Sequence, residues 1–416
     1  MQEDKQKEAF DSILNGDNVF VTGSGGTGKS YTINKILDNN TILCAPTGIA
    51  ALNIGGITCH KAFGLPIGLV TPSDVHKTPS RMQDLFNPYS PVKRIVIDEI
   101  SILRRDYLEL IDTRLKRIRG NKLPFGGLQV VVVGDFFQLN PIVTGQEKKI
   151  FYKEYDSAYG FSSNIWNFKS IELDKVYRQD NKRQVALLNS IRRKDKHHKK
   201  ALDIVQAEAL PYDISNNTTH ICCYKRDADT YNTRFFNDLK TPIYTFTSKI
   251  EGEDKWKDSA VPHEIRLREG ARVILKCNDI DGQYVNGETG YIKYLDKYSI
   301  TVSKDNGKLV QVFPNTWDKF EYSTSNDSVQ KSVTSRFTQM PVTLAYAQTA
   351  HSLQGVTLSN SVIDVGRGCF SHGQLYMMLS RVTDLKNMAI AQPLGYSDVR
   401  CDKEVRDFYK GMQEVI

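Results

Sequence analysis

Gly23-Ser24-Gly25-Gly26-Thr27-Gly28-Lys29-Ser30 fits the pattern G-x-x-x-x-G-K-[ST] at every fixed position. The preceding Asn18-Val19-Phe20-Val21-Thr22 reads as a short buried strand, and residues 31–37 carry apolar side chains at helical spacing. That is the strand–loop–helix setting in which such a loop wraps a phosphate chain. Its glycines let backbone N–H groups turn inward, and the helix N-terminus adds partial positive charge. Lys29 suits the β- and γ-phosphates, and the Ser30 hydroxyl suits Mg²⁺. A glycine-rich turn that binds nothing is the competing reading, and the complete pattern in this setting speaks against it.

Outward from the loop, residues 6–14, 18–22, 30–37 and 41–45 alternate helix, strand, helix, strand, which predicts a parallel sheet with crossover helices. Periodicity fades between 63 and 91, where Pro, Gly and Ser recur, and an insertion or long loop is expected there. Ile95-Val96-Ile97-Asp98-Glu99 is an apolar strand ending in two carboxylates. In an open α/β sheet that end lies beside the phosphate loop. Asp98 is then placed to hold Mg²⁺ with Ser30, and Glu99 to orient or deprotonate a water. The bland alternative is a helix start favoured by acidic residues. A third strand, 128–133, runs into Gly134-Asp135-Phe136-Phe137-Gln138-Leu139-Asn140. Gln138 reads equally as a γ-phosphate contact and as a polar loop residue.

A second α/β block is predicted from 171, with a helix at 182–193, a strand at 219–223 and a helix at 227–239. Between 271 and 339 short strands alternate with Asp281-Gly282, Asn286-Gly287 and Asn306-Gly307, which is hairpin chemistry. A small inserted β-barrel is expected there. The α/β pattern resumes with strands at 342–347, 361–365 and 387–391 and a helix at 374–381.

Composition sets outer bounds. A chain of 416 residues allows several domains of roughly 100–200 residues each. With 40% hydrophobic and 25% charged residues, globular cores are expected and wholesale disorder is not. No apolar run is long enough to span a membrane. Met1-Gln2-Glu3-Asp4-Lys5 lacks an apolar segment, so no secretory signal is expected. Seven cysteines without a C-x-x-C pair predict reduced thiols and an intracellular, cytoplasmic setting. A net charge of +7 permits a polyanionic partner without requiring one.

Ala45-Pro46-Thr47-Gly48-Ile49-Ala50-Ala51, Asp98-Glu99, Gly134-Asp135 with Gln138, Val176-Tyr177-Arg178-Gln179, Ala350-His351-Ser352-Leu353-Gln354-Gly355 and Leu379-Ser380-Arg381-Val382-Thr383 follow the order of helicase motifs. The chain resembles superfamily-one DNA helicases over about residues 6 to 383. Pro124-Phe125-Gly126-Gly127-Leu128-Gln129 resembles the signature of the Pif helicase family. The resemblance implies two RecA-like α/β domains, 1–170 and 171–275 with 340–416. An insertion at 61–92 and a small β-barrel at 276–339 complete them, with ATP held in the cleft between. It implies ATP with Mg²⁺, and an activity of ATP-driven translocation on single-stranded DNA, 5′ to 3′, that unwinds duplexes carrying a single-stranded tail. No membrane partner is expected.

The resemblance also assigns residues. Gln6 recognises adenine. Gly23, Gly25, Gly26, Thr27, Gly28, Lys29, Ser30, Tyr31 and Gly355 hold nucleotide, and Ser30 and Asp98 hold the metal. Lys29, Glu99 and Gln138 serve hydrolysis, with Arg178 and Arg381 reaching the γ-phosphate from the second domain. Thr47, His60, Asn140, His351 and Gln354 lie in segments that contact single-stranded DNA in the family, and the residues themselves add Phe63, Thr349 and Ser352 as candidates for the same contact. The residues support this unevenly. Thr47 follows Pro46 at an expected helix start, which suits a phosphate oxygen. Thr349, His351, Ser352 and Gln354 form a polar cluster of the kind that tracks a nucleic-acid backbone. For Phe63 and Phe136-Phe137, core packing is the stronger reading than base stacking. His60 reads as well as a core or cap histidine. The run Arg192-Arg193-Lys194 with Lys196, Lys199 and Lys200 reads as a solvated helix end. Two readings from other classes stay open: a DNA-stimulated translocase or remodeller that does not separate strands, and a P-loop phosphotransferase acting on a small molecule.

Overall fold

The computed structural model describes residues 4–145, 147–177, 181–213, 218–252, 256, 259–325, 328–353 and 356–414. The chain divides into two units. The first comprises residues 1–177, 318–335 and 407–416, and the second comprises 178–317 and 336–406.

The first unit is built on six strands: β1 (Val19–Gly23), β2 (Thr41–Ala45), β3 (Ile57–Thr58), β4 (Arg94–Ile97), β5 (Gln129–Val133) and β6 (Lys169–Leu173). Their order is β3-β2-β4-β5-β1-β6, and every pairing is parallel. β1 and β2 are buried at all five positions. Continuous apolar runs of Val, Ile and Leu, rather than alternation, suit strands covered on both faces. Helices α1 (Lys5–Leu14) and α2 (Lys29–Ile36) pack Ala9, Ile13, Ile33 and Ile36 onto one face of this sheet. Each fully buried Ile or Val stabilises the unit by about 1.5–3 kcal/mol. β4, β5 and β1 are neighbours, with Ile97 opposite Val132 and Val21 opposite Val133. Gly23, Asp98 and Gly134 therefore leave the sheet side by side at its C-terminal edge.

Further helices are α3 (Gly48–Asn53), α4 (Cys59–Phe63), α5 (Pro72–His76), α6 (Ser80–Phe86), α7 (Arg105–Arg119) and α8 (Lys148–Glu154). The expected loop at 63–91 thus holds short helices. They are too short to show a helical period, although Thr71-Pro72-Ser73-Asp74 carries a complete capping box at the start of α5. α7 anchors them. Arg114 donates to the carbonyls of Phe63, Gly64 and Asp74 at 2.8 Å each. Gly120, at φ 63°, stops α7 in a left-handed cap.

The second unit begins with α9 (Lys182–Arg193), α10 (His198–Glu208), β7 (His220–Cys222), α11 (Lys225–Asp238), β8 (Tyr244–Thr247), β9 (Lys249–Gly252) and β10 (Glu264–Leu267). β11 (Arg272–Leu275), β12 (Thr289–Leu295), β13 (Ile300–Lys304) and β14 (Leu309–Val312) follow. Next come the hairpin strands β15 (Asn315–Ser325) and β16 (Ser328–Gln339), then β17 (Val342–Leu344), β18 (Ala347–Thr349), β19 (Ser361–Asp364), α12 (Gln374–Leu379), β20 (Met388–Ile390) and α13 (Lys403–Glu414). A parallel sheet has the order β18-β7-β19-β20. Of the segment expected as a barrel, 276–339, β12, β13 and β14 join β11 and β17 in a five-stranded antiparallel sheet, β14-β13-β12-β11-β17, with β14 and β17 at its edges, while β15 and β16 pair in a separate sheet. The turn at Asn306-Gly307, with Gly307 at φ 82°, joins β13 to β14 as its chemistry predicts.

Two expectations are corrected here. The single strand at 342–347 is two: Thr343 pairs antiparallel with Ile274, whereas Ala347 pairs parallel with His220. The buried Ala345 turns the chain from one sheet to the other, its N–H bonded to Arg272 O at 2.9 Å. The second correction concerns membership: residues 407–416 and the hairpin segment 318–335 belong to the first unit, not the second.

Candidate active site

The loop after β1 is shaped by glycines. Gly23, Gly26 and Gly28 have φ of 149°, 83° and 87°. A Cβ at Gly23 would lie 2.7 Å from Leu173 O and from Thr27 Oγ1. Gly28 caps α2 in a left-handed conformation with no side-chain cap bond, so the first N–H groups of α2 are not claimed by a capping side chain. This geometry fits an anion. Lys29 Nζ lies over the loop, donating to Gly23 O at 2.9 Å and Ser24 O at 3.0 Å. Thr27 Oγ1 donates to Ser24 O at 3.0 Å. Ser30 is exposed just beyond, as is Tyr31, whose ring carries Lys35 Nζ at 4.8 Å. Gly25 is half-buried in the same loop.

Gln6, in the first turn of α1, is set against the loop. Its Nε2 donates to Thr27 O at 3.3 Å, and its Oε1 accepts from Tyr177 Oη at 3.2 Å. Tyr177 N donates to Gly26 O at 2.8 Å. Tyr177 is a site residue that sequence reasoning passed over, although it stands inside Val176-Tyr177-Arg178-Gln179.

At the end of β4, Asp98 N donates to Cys44 O at 2.9 Å, and Asp98 Oδ1 accepts Glu99 N at 2.9 Å. Burial pushes the Asp98 carboxyl up, opposed by that N–H bond and by the nearby Lys29 charge. Glu99 has φ 54° and ψ 42°, a left-handed conformation that costs a non-glycine residue free energy. It turns the chain sharply just where the carboxylates are displayed. At the end of β5, Asp135 organises the next turn: its Oδ1 accepts Phe137 N at 3.1 Å and its Oδ2 accepts Gln138 Nε2 at 3.2 Å. Gln138 is nearly buried. Gln6, the 23–30 loop, Asp98, Glu99 and Gln138 thus belong to one unit and gather at one edge of its sheet. Oxygen donors from Ser30 and Asp98 are of the kind that Mg²⁺ takes. Among the described residues no larger cluster of His, Cys, Asp or Glu offers a metal site.

The other candidates are spread over both units. Thr47 caps α3, its Oγ1 accepting Ala50 N at 3.2 Å, and is exposed. His60 is half-buried, edge-on to Tyr107 at 5.2 Å. Phe63 is in the core, fully buried and stacked on Phe86 at 5.7 Å, so its ring has no face to offer a base. Phe136 and Phe137 are buried as well. Asn140 is half-buried and donates to Pro141 O at 3.1 Å. In the second unit, Thr349 Oγ1 accepts Ser352 N at 3.2 Å and donates to Ser352 Oγ at 3.1 Å, while His351 is exposed. Arg381 is 2% exposed. It donates to Met377 O at 2.9 Å, Leu353 O at 3.1 Å, Val356 O at 3.3 Å and Ser380 Oγ at 3.1 Å. Arg178, Gln354 and Gly355 lie outside the described residues.

The signature Pro124-Phe125-Gly126-Gly127 sits at the opposite edge of the sheet, at the entry to β5. Phe125 N donates to the buried Asp112 Oδ1 at 2.7 Å, and Arg119 Nε donates to Gly126 O at 2.8 Å. Here the signature closes the turn between α7 and β5.

The family described as PIF1-like helicase matches residues 1–200. Among curated proteins, the "ATP-dependent DNA helicase Pif1" of Campylobacter jejuni is 29% identical over 97% of this chain and 96% of its own length. A crystal structure of Bacteroides sp Pif1 in complex with ADP-AlF4 aligns at TM-score 0.90 and 30% identity, covering 100% of this chain and 98% of that one. Bacteroides Pif1 bound to ssDNA aligns at TM-score 0.70 and 31% identity, with the same coverage. At 30–31% identity along essentially the full length of a solved Pif1, the chain belongs to the PIF1-like helicase family.

Proposed function

We propose that this protein is an ATP-dependent DNA helicase, hydrolysing ATP at the C-terminal ends of β1, β4 and β5 and moving 5′ to 3′ along single-stranded DNA to open tailed duplexes. The observation that carries this is the convergence of a glycine-shaped loop, a carboxylate pair and Gln138 at three adjacent strand ends. Family membership supplies the nucleic-acid half. A relative bears the name of an ATP-dependent DNA helicase, and another was solved with ssDNA.

The residues divide the work. The 23–30 loop and the start of α2 bind the phosphates through backbone N–H groups, and Lys29 supplies the counter-charge. Ser30 and Asp98 would hold Mg²⁺, which neutralises phosphate charge when bound. Glu99, turned out of the strand by its left-handed backbone, takes a proton from the attacking water. Gln138, its amide oriented by Asp135, positions that water or the γ-phosphate. Gln6 presents an amide beside the loop for the adenine edge. The resemblance assigns charge on the transferring phosphoryl group to Arg178 and Arg381. Arg381 also braces the carbonyls of Leu353 and Val356, which flank Gln354 and Gly355 in the sequence. Thr47 and the 349–352 cluster offer hydroxyls and backbone to phosphates, contacts that carry no sequence information.

Steady-state ATP hydrolysis with and without single-stranded DNA tests the reading. Strong stimulation by DNA of unrelated sequences is expected. Hydrolysis indifferent to DNA would favour a small-molecule phosphotransferase.

A further inference from the structure

Two of the three turns that carry the catalytic groups of the first unit, those after β1 and β5, meet one distant side chain. Tyr409 Oη lies 2.5 Å from Thr22 Oγ1 and accepts Phe136 N at 3.3 Å. Thr22 directly precedes Gly23 of the phosphate loop. Phe136 stands between Asp135 and Gln138. Thr22, Phe136 and Tyr409 are all essentially buried. The Tyr409 ring packs on Phe137 at 4.4 Å. Its neighbour Phe408 stacks on Phe161 at 4.3 Å with ring planes 11° apart, and lies 5.9 Å from Phe136. The middle of α13 is thereby seated in the aromatic core beneath the site.

We propose that Tyr409 is a positioning residue for ATP hydrolysis: its hydroxyl locks the 134–138 turn to the end of β1, holding Gln138 in register with the phosphate loop. The inference rests on the proposed ATP hydrolysis. The chain of contacts runs from Tyr409 Oη to Phe136 N, through Asp135, to Gln138 Nε2. Each link lies in a low-dielectric interior, where hydrogen bonds fix geometry strongly. No local pattern in the sequence marks Tyr409; only the fold brings a residue 387 positions away onto Thr22.

The test uses the full chain and Tyr409→Phe, which keeps the ring and removes the hydroxyl. With saturating single-stranded DNA, kcat should fall about 10- to 10²-fold, as small misplacements of reacting groups do. The KM for ATP and the affinity for a fluorescent ADP analogue should stay within about threefold. Thr22→Val combined with Tyr409→Phe should lose no more than the worse single variant, because both remove one contact. Phe408→Leu is the control for packing: it should lower the melting temperature yet keep kcat within about twofold, being outside the contact chain. Hydrogen exchange at 134–138 should quicken in Tyr409→Phe, a readout that needs no activity. An unchanged kcat overturns the proposal, as does a joint fall of kcat, nucleotide affinity and melting temperature matched by Phe408→Leu. If the parent chain itself does not hydrolyse ATP, the functional reading fails, and unchanged exchange at 134–138 then overturns this inference separately.

Discussion

Lys29 and Glu99 make different demands on the same site. Lys29 is held by the carbonyls of Gly23 and Ser24, pointed along the loop it serves. Lys29→Ala should abolish ATP hydrolysis, because the phosphates lose their main side-chain counter-charge. A folded variant with near-parental turnover would remove the loop from the chemistry. Glu99→Gln should keep nucleotide affinity and slow single-turnover hydrolysis by about 10²-fold or more, the scale of a lost general base. Parallel loss of affinity would mark Glu99 as structural. Phe63 belongs on the other side of the ledger. Phe63→Ala should destabilise the protein by about 3–5 kcal/mol, the cost of a core cavity, read by denaturant unfolding. Its affinity for single-stranded DNA, measured on folded protein, should hold. The loop and the Asp98-Glu99 pair were legible in the sequence because their chemistry is written in contiguous residues. For Phe63 the residues favoured core packing over the DNA contact also considered, and the core is where its ring lies. Tyr177 and Tyr409 were passed over because their partners, Gln6 and Thr22, are 171 and 387 residues distant.

At the scale of elements, long patterns were legible and short ones were not. α9 and the buried strands β1, β4 and β5 were readable from apolar runs and periodicity. α4, α5 and α6 were not, because five to seven residues give too little period against a background of Pro and Gly. The split of 342–347 into β17 and β18 escaped because strand propensity says nothing about which sheet a residue joins. Gly126 illustrates an element fixed by one residue. It has φ 64°, and a Cβ there would lie 2.6 Å from Leu115 O. Gly126→Ala should destabilise the α7–β5 turn by at least about 1–3 kcal/mol through backbone strain, lowering the melting temperature. An unchanged melt would show that the turn yields without cost. In the second unit, the buried Arg272 forms a two-pronged pair with Asp305, both bonds 2.9 Å, and also reaches Thr219 and Thr289. Asp305→Ala leaves that guanidinium without its counter-charge and should cost about 3–5 kcal/mol in unfolding free energy.

At the scale of the whole molecule, the sequence made two α/β blocks visible, but not that residues 318–335 and 407–416 return to the first. Such returns depend on long-range packing, of which Phe408 and Tyr409 are the clearest case. Thr47 in one unit and the 349–352 cluster in the other offer hydroxyls and backbone groups, with no base-reading set among them. DNA affinity should therefore fall steeply with salt and vary little with sequence, as binding isotherms on unrelated oligonucleotides will show. Strong preference for one sequence would contradict backbone tracking. The most direct measurement is strand separation by the full chain, with ATP and Mg²⁺, of matched duplexes bearing only a 5′ or only a 3′ single-stranded tail, with Glu99→Gln alongside. The account predicts rapid opening of the 5′-tailed duplex, little of the 3′-tailed one, and none by Glu99→Gln. Opening of neither duplex by a chain that hydrolyses ATP on DNA, or opening that persists in Glu99→Gln, would contradict it.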